Sequence, residues 1–209
     1  MASVIPPRYN PGMSAGRKQA TYADVLAAPE HVVAEVVDGE LFLSPRPAPR
    51  HALASSRLGS LLDAPFGLGR GGPGGWLILD EPELHLIDDI MVPDLAGWRI
   101  ERMPRLPSEA YFSVAPDWIC EVLSPSTKRL DRMKKFPRYG KHGVAHAWFV
   151  DPDERSLETY SLFRERWQLG DLAGDDERLR VAPFDAIELE LGLLWEPTPP
   201  AAADPAPSP

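Results

Sequence analysis

The sequence predicts a mixed α/β (α+β) fold in which a β-sheet is flanked by helices. Helix and strand patterns alternate along the chain, which is typical of domains that pack helices on a sheet. Residues 118–123 form a short apolar run with the character of a buried central strand. A basic helical pattern and a second apolar run, residues 146–150, follow it. A strand–helix–strand unit of this kind forms a right-handed parallel crossover.

The first predicted elements along the chain are a short helix and a hairpin. Residues 21–24 have the spacing of a capping box, so a helix is expected to begin there. Asp38 and Gly39 lie between two runs of strand-forming residues, 32–37 and 40–43. An Asp-Gly pair in this setting is a strong short-range signal for a hairpin.

A second helix and a series of strands are predicted next. The helix covers residues 51–62, whose leucines recur on one side. The glycine-rich stretch 66–75 lacks the Gly-Lys-Ser/Thr of a phosphate-binding loop, so we expect a flexible surface loop there. Pro93 suits a strand end or an edge because proline donates no backbone hydrogen bond. Outside the crossover unit, strands are predicted at residues 76–79, 83–86, 90–95, 157–163, 167–169 and 187–191.

The composition and the two chain ends indicate one folded domain. The chain has 209 residues, of which 44% are hydrophobic and 25% charged, and this is sufficient for one well-packed core. The proline-containing residues 1–16 are expected to form a disordered arm, and the Pro/Ala-rich residues 197–209 a disordered tail. Residues 17–196 remain as the domain. The single cysteine excludes an intrachain disulfide and a cysteine-based zinc site.

The charge and hydropathy patterns limit the partners. The formal net charge of −9 argues against a protein that coats nucleic acid, since such binding relies on basic surface. No apolar stretch approaches the ~20 residues that cross a bilayer. The N-terminus also lacks the basic-then-apolar pattern of a signal peptide, so we expect a cytoplasmic protein without a membrane partner. One basic stretch remains, and four of its residues are candidates for contact with nucleic-acid phosphates: Lys128, Arg129, Arg132 and Lys141.

The carboxylate of Glu121 lies inside the central apolar run and needs a compensating partner. An unpaired buried charge costs on the order of several kcal/mol. One interpretation is an ion pair with a nearby arginine or lysine. The other is a functional site in which a second carboxylate and a cation lie beside Glu121.

Asp94 and Lys135 are the candidates for such a site. Asp94 ends one apolar strand and Glu121 lies in the next, and strands adjacent in sequence usually pair in space. Two neighbouring carboxylates repel each other and are natural oxygen ligands for Mg²⁺ or Mn²⁺. Lys135 follows on the crossover helix, within reach of the strand ends. A divalent cation and a lysine beside two carboxylates are the equipment for phosphodiester hydrolysis.

A set of motifs covers most of residues 18–165 and is specific as a set, although Pro93-Asp94 alone means little. Its members are TYADVLAAPE (21–30), AEVVDGEL (34–41), PRH (49–51), VPDL (92–95), PDWICEVLSPST (116–127), Asp131, Lys135, Tyr139, Gly143-Val144 and AWFVDPD (147–153). With these motifs the chain resembles the Uma-type family of bacterial endonucleases. That family is part of the PD-(D/E)XK superfamily, which has the restriction-endonuclease-like fold.

The resemblance implies an αβββαβ core and a set of site residues. It assigns Asp94 and Glu121 to a bound metal ion, Mg²⁺ or Mn²⁺, and Lys135 to catalysis. It places Glu35 near the site as the early acidic residue of the family. His51, in the PRH motif, is a further candidate for contact with the site.

The position of the lysine departs from the superfamily motif. The motif places lysine two residues after the acid, where this chain has Leu123. In this family the following helix supplies the lysine instead, and Lys135 stands at that position, with the adjacent Lys134 as the alternative. Pro137 is expected to kink or restart the helix and so affects where the lysine points.

The predicted function is a Mg²⁺-dependent endonuclease that cuts DNA by in-line attack of water on a phosphodiester. One alternative is a nuclease-fold module that binds nucleic acid or a protein partner without turnover, which the acidic net charge favours. Another is a structural or regulatory dimer with a vestigial site, which the joint presence of four candidate site residues disfavours. The sequence leaves open DNA versus RNA, the target sequence and the oligomeric state, a homodimer included.

Overall fold

The computed structural model describes residues 19–197. The predicted arm, residues 1–16, and the predicted tail beyond residue 197 lie outside this range. Within it, the chain forms twelve β-strands and a small number of helical segments. No helix in the described range has the length and apolar character needed to span a membrane.

The N-terminal helix and hairpin form as predicted. Helix α1 covers Tyr22–Leu26, and the backbone N–H of Thr21 donates a hydrogen bond of 2.8 Å to Asp24 Oδ2, which completes the capping box. Strands β1 (Val32–Val37) and β2 (Glu40–Pro45) pair antiparallel around residues 38 and 39. Both turn residues have a positive φ, as a tight hairpin turn requires.

The strands divide between two main sheets and a small third one. A four-stranded antiparallel sheet has the order β2-β1-β5-β4, in which β4 is Leu84–Leu86 and β5 is Asp89–Met91. A six-stranded sheet has the order β10-β9-β8-β7-β6-β3. Its members are β3 (Trp76–Asp80), β6 (Leu95–Arg99), β7 (Trp118–Val122), β8 (His146–Asp151), β9 (Ser156–Phe163) and β10 (Arg166–Gly174). The third sheet pairs β11 (Arg178–Leu179) with β12 (Leu189–Glu190).

Two longer helical segments flank the six-stranded sheet. Helix α2 (Pro49–Leu62) continues into a π-helical turn, Asp63–Gly67. The second segment, residues 128–141, consists of α3 (Lys128–Leu130), a π-helical turn (Asp131–Lys135) and α4 (Phe136–Lys141). A 3-10 helix, Leu191–Leu193, follows the last strand.

The fold class is confirmed, and the αβββαβ core can be traced as α2, β3, β6, β7, the helical segment 128–141 and β8. Strands β7 and β8 pair in parallel, as the predicted crossover requires. All other pairs in the six-stranded sheet are antiparallel, so that sheet is mixed. Strands β4 and β5 are an insertion between β3 and β6.

The two faces of β7 contribute to different cores. Trp118 and Val122 pack with leucines of α2, whereas Ile119 packs in the second core with Tyr139 of α4. Because side chains alternate along a strand, Glu121 lies on the same face as Ile119. The carboxylate therefore faces the helical segment 128–141.

The prediction of a single strand at residues 90–95 in a single sheet is wrong. Ile90 pairs with Val36 in the four-stranded sheet, whereas Leu95 pairs with Cys120 in the six-stranded sheet. Residues 92–94 cross between the sheets, and Pro93 is suited to this crossing because it has no N–H to pair. The crossing places Asp94 at the junction of the two sheets.

Candidate active site

Glu35 enters the site from the four-stranded sheet. It lies in β1 and is 2% exposed. Its Oε1 accepts a hydrogen bond of 2.7 Å from the backbone N–H of Val92, which is part of the crossing between the sheets. This bond fixes the carboxylate beside the segment that leads to Asp94.

Asp94 enters from the six-stranded sheet, at the start of β6. Its Oδ2 accepts a hydrogen bond of 2.7 Å from the backbone N–H of Val122, the last residue of β7. Its Oδ1 lies 3.2 Å from Nε2 of His51, in the first turn of α2. Burial opposes a positive charge on the His51 ring, but the hydrogen bond and charge of Asp94 outweigh it, so the pKa of His51 is raised above its usual value.

Glu121 lies beside Asp94 at the end of β7 and is fully enclosed. Its Oε1 lies 2.9 Å from Lys135 Nζ and accepts a hydrogen bond of 2.6 Å from the hydroxyl of Tyr139. Burial raises the pKa of Glu121 well above its usual value, and the charges of neighbouring carboxylates raise it further, although Lys135 acts in the opposite direction. Burial and the neighbouring carboxylates therefore favour the protonated form of Glu121, whereas Lys135 favours its carboxylate.

Lys135 is the cation at the centre of the cluster. It is 2% exposed, and its Nζ lies 2.9 Å from Glu35 Oε1 and 2.9 Å from Glu121 Oε1. It also donates a hydrogen bond of 3.0 Å to the backbone oxygen of Val92. Burial alone lowers the pKa of Lys135, but the charges of Glu121 and Glu35 outweigh burial and raise it well above the usual value. Lys135 is therefore an ammonium ion at physiological pH.

The structure brings Lys135, and not Lys134, into the cluster. Lys134 lies on the outer side of the helical segment, where its Nζ is 3.4 Å from Glu40 Oε2. The two neighbours point in different directions because successive residues of a helix are separated by about 100°. The sequence leaves the choice between the two lysines open. The structure places Lys135 in the cluster and Lys134 outside it.

Sequence reasoning missed two residues of the cluster, Asp131 and Tyr139. They precede and follow Lys135 by four residues, so all three lie on one face of the helical segment. Asp131 Oδ1 is 3.6 Å from Lys135 Nζ, and burial raises the pKa of Asp131 to about 6. The signal that identifies both is the spacing of four residues around the lysine, within the motifs that carry the resemblance.

The cluster lines a cavity of about 240 Å³ between the two sheets and the first turns of two helical segments. Five carboxylates line it, against one lysine, one arginine and one histidine. These charged residues are Glu35, Glu81, Asp94, Glu121, Asp131, Lys135, Arg46 and His51. All the predicted catalytic and metal-binding residues, and His51, therefore lie at one cavity.

The residues present fit a magnesium ion. Among residues 19–197, no group of three or more His, Cys, Asp or Glu side chains could hold a metal ion by itself. Magnesium needs fewer protein ligands than that, because it keeps several waters and binds through one or two carboxylates together with substrate phosphates. Asp94 and Glu121 supply two carboxylates in a cavity with surplus negative charge, which is the donor chemistry that Mg²⁺ and Mn²⁺ prefer.

The predicted basic strip lies on the outer surface of the same helical segment. Lys128 forms an ion pair of 2.7 Å with Asp151, and Arg132 Nη1 donates a hydrogen bond of 2.9 Å to Glu158. Arg129 and Lys141 are exposed. Contact of these four basic residues with phosphates stays a prediction, and for Lys128 and Arg132 it requires exchange of existing ion pairs.

The fold is that of the restriction-endonuclease-like class, and carboxylates cluster around a buried lysine within it. The chain belongs to the Uma2 family, described as "Putative restriction endonuclease", whose model matches residues 20–193. A solved structure from Anabaena variabilis, described as "a putative nuclease belonging to DUF820", is 25% identical and superposes with a TM-score of 0.67. The match covers 84% of this chain and 97% of that one. The comparison with curated proteins gives no match.

Proposed function

We propose that the protein is a Mg²⁺- or Mn²⁺-dependent endonuclease that hydrolyses phosphodiester bonds in DNA. The observation that supports this most strongly is the cluster of Asp94, Glu121 and Glu35 around Lys135 in one cavity. A structural ion pair needs one carboxylate for one lysine. Here the carboxylates outnumber the cations, and a divalent cation is the natural complement of that surplus.

Asp94 and Glu121 would hold the metal ion, which when bound supplies Lewis-acid stabilisation of phosphate charge and activation of water. Asp94 is suited to this role because the N–H of Val122 fixes one of its oxygens. Tyr139 and Lys135 fix one oxygen of Glu121 in the same way. Such positioning lowers the cost of arranging the ligands when substrate and metal arrive.

Lys135 contributes a fixed positive charge close to the carboxylates of Glu35 and Glu121. Its Nζ donates a hydrogen bond to the backbone oxygen of Val92 and forms close ion pairs with Glu35 and Glu121. Direct stabilisation of a reacting phosphate by Lys135 requires exchange of one of these contacts. Without such exchange, Lys135 acts by orienting the two carboxylates.

The burial of Lys135 among Glu35, Glu121 and Asp131 also favours a second candidate function. A nuclease-fold module that binds nucleic acid or a protein partner without cutting DNA needs no free lysine at its site. The two candidates differ in turnover and not in fold, so an activity assay separates them.

The test is plasmid nicking by purified protein in Mg²⁺ or Mn²⁺, with EDTA as the metal-free control. Asp94→Asn and Glu121→Gln keep the shape of the side chains, and each is expected to abolish nicking. Lys134→Ala is the matched control, since Lys134 lies outside the cavity, and it is expected to keep activity. Equal nicking by the wild type and Asp94→Asn would show that the activity belongs to a contaminant.

A further inference from the structure

The cavity presents an electrostatic problem to its proposed substrate. A phosphodiester is an anion, whereas five carboxylates line the cavity. A divalent ion at Asp94 and Glu121 offsets two of these charges at most. A strand of nucleic acid therefore needs a further cation on the protein surface at the entrance to the cavity.

Two of the three cations that line the cavity are not accessible to a phosphate. Lys135 is buried, donates a hydrogen bond to the backbone oxygen of Val92 and forms ion pairs with Glu35 and Glu121. His51 is also buried, and its Nε2 faces Asp94. Within the described part of the chain, Arg46 is the remaining cation of the lining.

Arg46 is accessible and weakly engaged. Its side chain is 58% exposed. It donates one long hydrogen bond, 3.3 Å from Nη2 to the backbone oxygen of Glu30, and its Nη1 lies 4.0 Å from Glu81 Oε2. A guanidinium has five N–H groups in a planar fork, so most of its donors face no protein acceptor among residues 19–197.

Two prolines flank Arg46 and restrict its backbone. Pro45 ends β2 and Pro47 precedes α2, so the arginine lies in the short connection that leads from the four-stranded sheet to His51. Proline restricts its own φ angle and disfavours the helical conformation of the residue before it. The loss of backbone entropy on binding at Arg46 is correspondingly small.

We propose that Arg46 binds a backbone phosphate of the nucleic-acid strand at the entrance to the cavity, and that this phosphate displaces Glu81, the distant acidic partner of the guanidinium. This inference rests on the proposed nuclease function. An arginine matches a phosphate through two parallel N–H bonds, which a carboxylate 4.0 Å away does not provide. The phosphate therefore replaces Glu81 as the partner of Arg46.

Arg46 differs from the residues of the predicted basic strip in how closely its acidic partner is bound. Lys128 and Arg132 have close acidic partners at 2.7 and 2.9 Å, so binding of a phosphate must break an ion pair in each case. Arg46 gives up only the distant contact with Glu81. It also lines the same cavity as Asp94 and Glu121, which none of the four strip residues does.

The test measures the dissociation constant of a fluorescently labelled DNA duplex by anisotropy at several salt concentrations, with Ca²⁺ in place of Mg²⁺. Arg46→Ala is expected to raise the dissociation constant about tenfold or more, as for loss of a charged hydrogen-bonded contact. In a plot of the logarithm of the association constant against the logarithm of the salt concentration, the slope for Arg46→Ala is expected to be less steep by about 0.9. The dissociation constant of Arg46→Lys is expected to lie between those of the wild type and Arg46→Ala, because lysine keeps the charge and lacks the planar guanidinium.

Arg105→Ala is the matched control. Arg105 is exposed and follows β6, whose other end carries Asp94, so the same charge is removed away from the cavity. It is expected to change the dissociation constant by about twofold at most. Equal weakening by Arg46→Ala and Arg105→Ala would overturn the inference, because Arg46 would then contribute only general charge.

Glu81→Gln tests the second half of the proposal. If Glu81 competes with the phosphate for Arg46, the variant binds DNA more tightly, and the gain disappears in the Arg46→Ala background. A gain of equal size in both backgrounds would contradict the coupling between the two residues.

The nicking assay separates failure of this inference from failure of the proposed function. Nicking that depends on Asp94, together with unchanged DNA binding by Arg46→Ala, overturns the inference alone. A wild-type protein that binds no DNA overturns both.

Discussion

Lys135→Met tests whether one buried lysine balances the acidic cluster. Methionine has a similar length but no charge, so the change removes the ammonium and leaves the cavity nearly filled. Three carboxylates, of Glu35, Glu121 and Asp131, lose the cation that lies 2.9, 2.9 and 3.6 Å from them. Removal of one partner of a buried ion pair costs about 3–5 kcal/mol. For a chain of this size, the melting temperature should fall by roughly 6–20 °C.

The assay is a thermal scan in EDTA at about pH 8, with Lys134→Met as the matched control. Lys134 forms an exposed pair of 3.4 Å with Glu40, and such pairs contribute about 0–1 kcal/mol. The control should therefore melt close to the wild type. The pKa of Lys135 is raised, so its contribution is fully present below the usual lysine pKa, and about pH 8 lies in that range.

The loss of stability in Lys135→Met, relative to the wild type, should be smaller at acidic pH. Protonation of the carboxylates removes the charges that the lysine compensates, and the pKa of Asp131 is already about 6. A Lys135→Met variant as stable as the wild type at about pH 8 would refute the view that this lysine compensates the cluster.

Three further variants test other parts of the cluster. Burial and the neighbouring carboxylates disfavour a charge on Glu121, so Glu121→Gln should melt no lower than the wild type without metal. Mn²⁺ should stabilise this variant much less than the wild type. Strong destabilisation with no response to Mn²⁺ would contradict a metal role. The pKa of Asp131 is raised from 3.8 to about 6, so the folded state favours the protonated acid. The stability that this preference contributes is present below pH 3.8 and is lost as the pH rises through about 6. The free energy of unfolding of the wild type relative to Asp131→Asn should therefore fall by about 2.4 kcal/mol between about pH 4 and 7, and a constant difference in urea titrations would refute this. Tyr139→Phe removes the hydroxyl bonded to Glu121 and should cost about 1–3 kcal/mol in the same titrations, whereas no loss would show that the bond is dispensable.

The central part of the site could be predicted because its residues break local patterns. Glu121 is a carboxylate inside an apolar strand, and Asp94 follows a proline within another apolar run. Each feature indicates an unusual environment for its carboxylate from the order of residues alone. The hairpin and the capping box are equally local, since a few adjacent residues determine their geometry.

The contacts that the sequence did not reveal depend on long-range or irregular structure. The π-helical turn Asp131–Lys135 alters the helix register, so helical periodicity alone does not decide which lysine faces the cavity. The change of sheet is hidden because apolar residues, 90–92 and 95–96, lie on either side of Pro93-Asp94. Charge along the chain indicates a basic strip, but the partners of Lys128 and Arg132 lie more than twenty residues away.

The most direct measurement of the central claim is the anomalous scattering of manganese in crystals soaked with Mn²⁺. We expect a peak bonded to the carboxylates of both Asp94 and Glu121, and loss of that peak in crystals of Glu121→Gln. Lys135 should keep its contact with Glu35 when the ion is bound. Crystals that bind Mn²⁺ at other carboxylates, with no peak at Asp94 and Glu121, would contradict the assignment of these two residues to a catalytic metal.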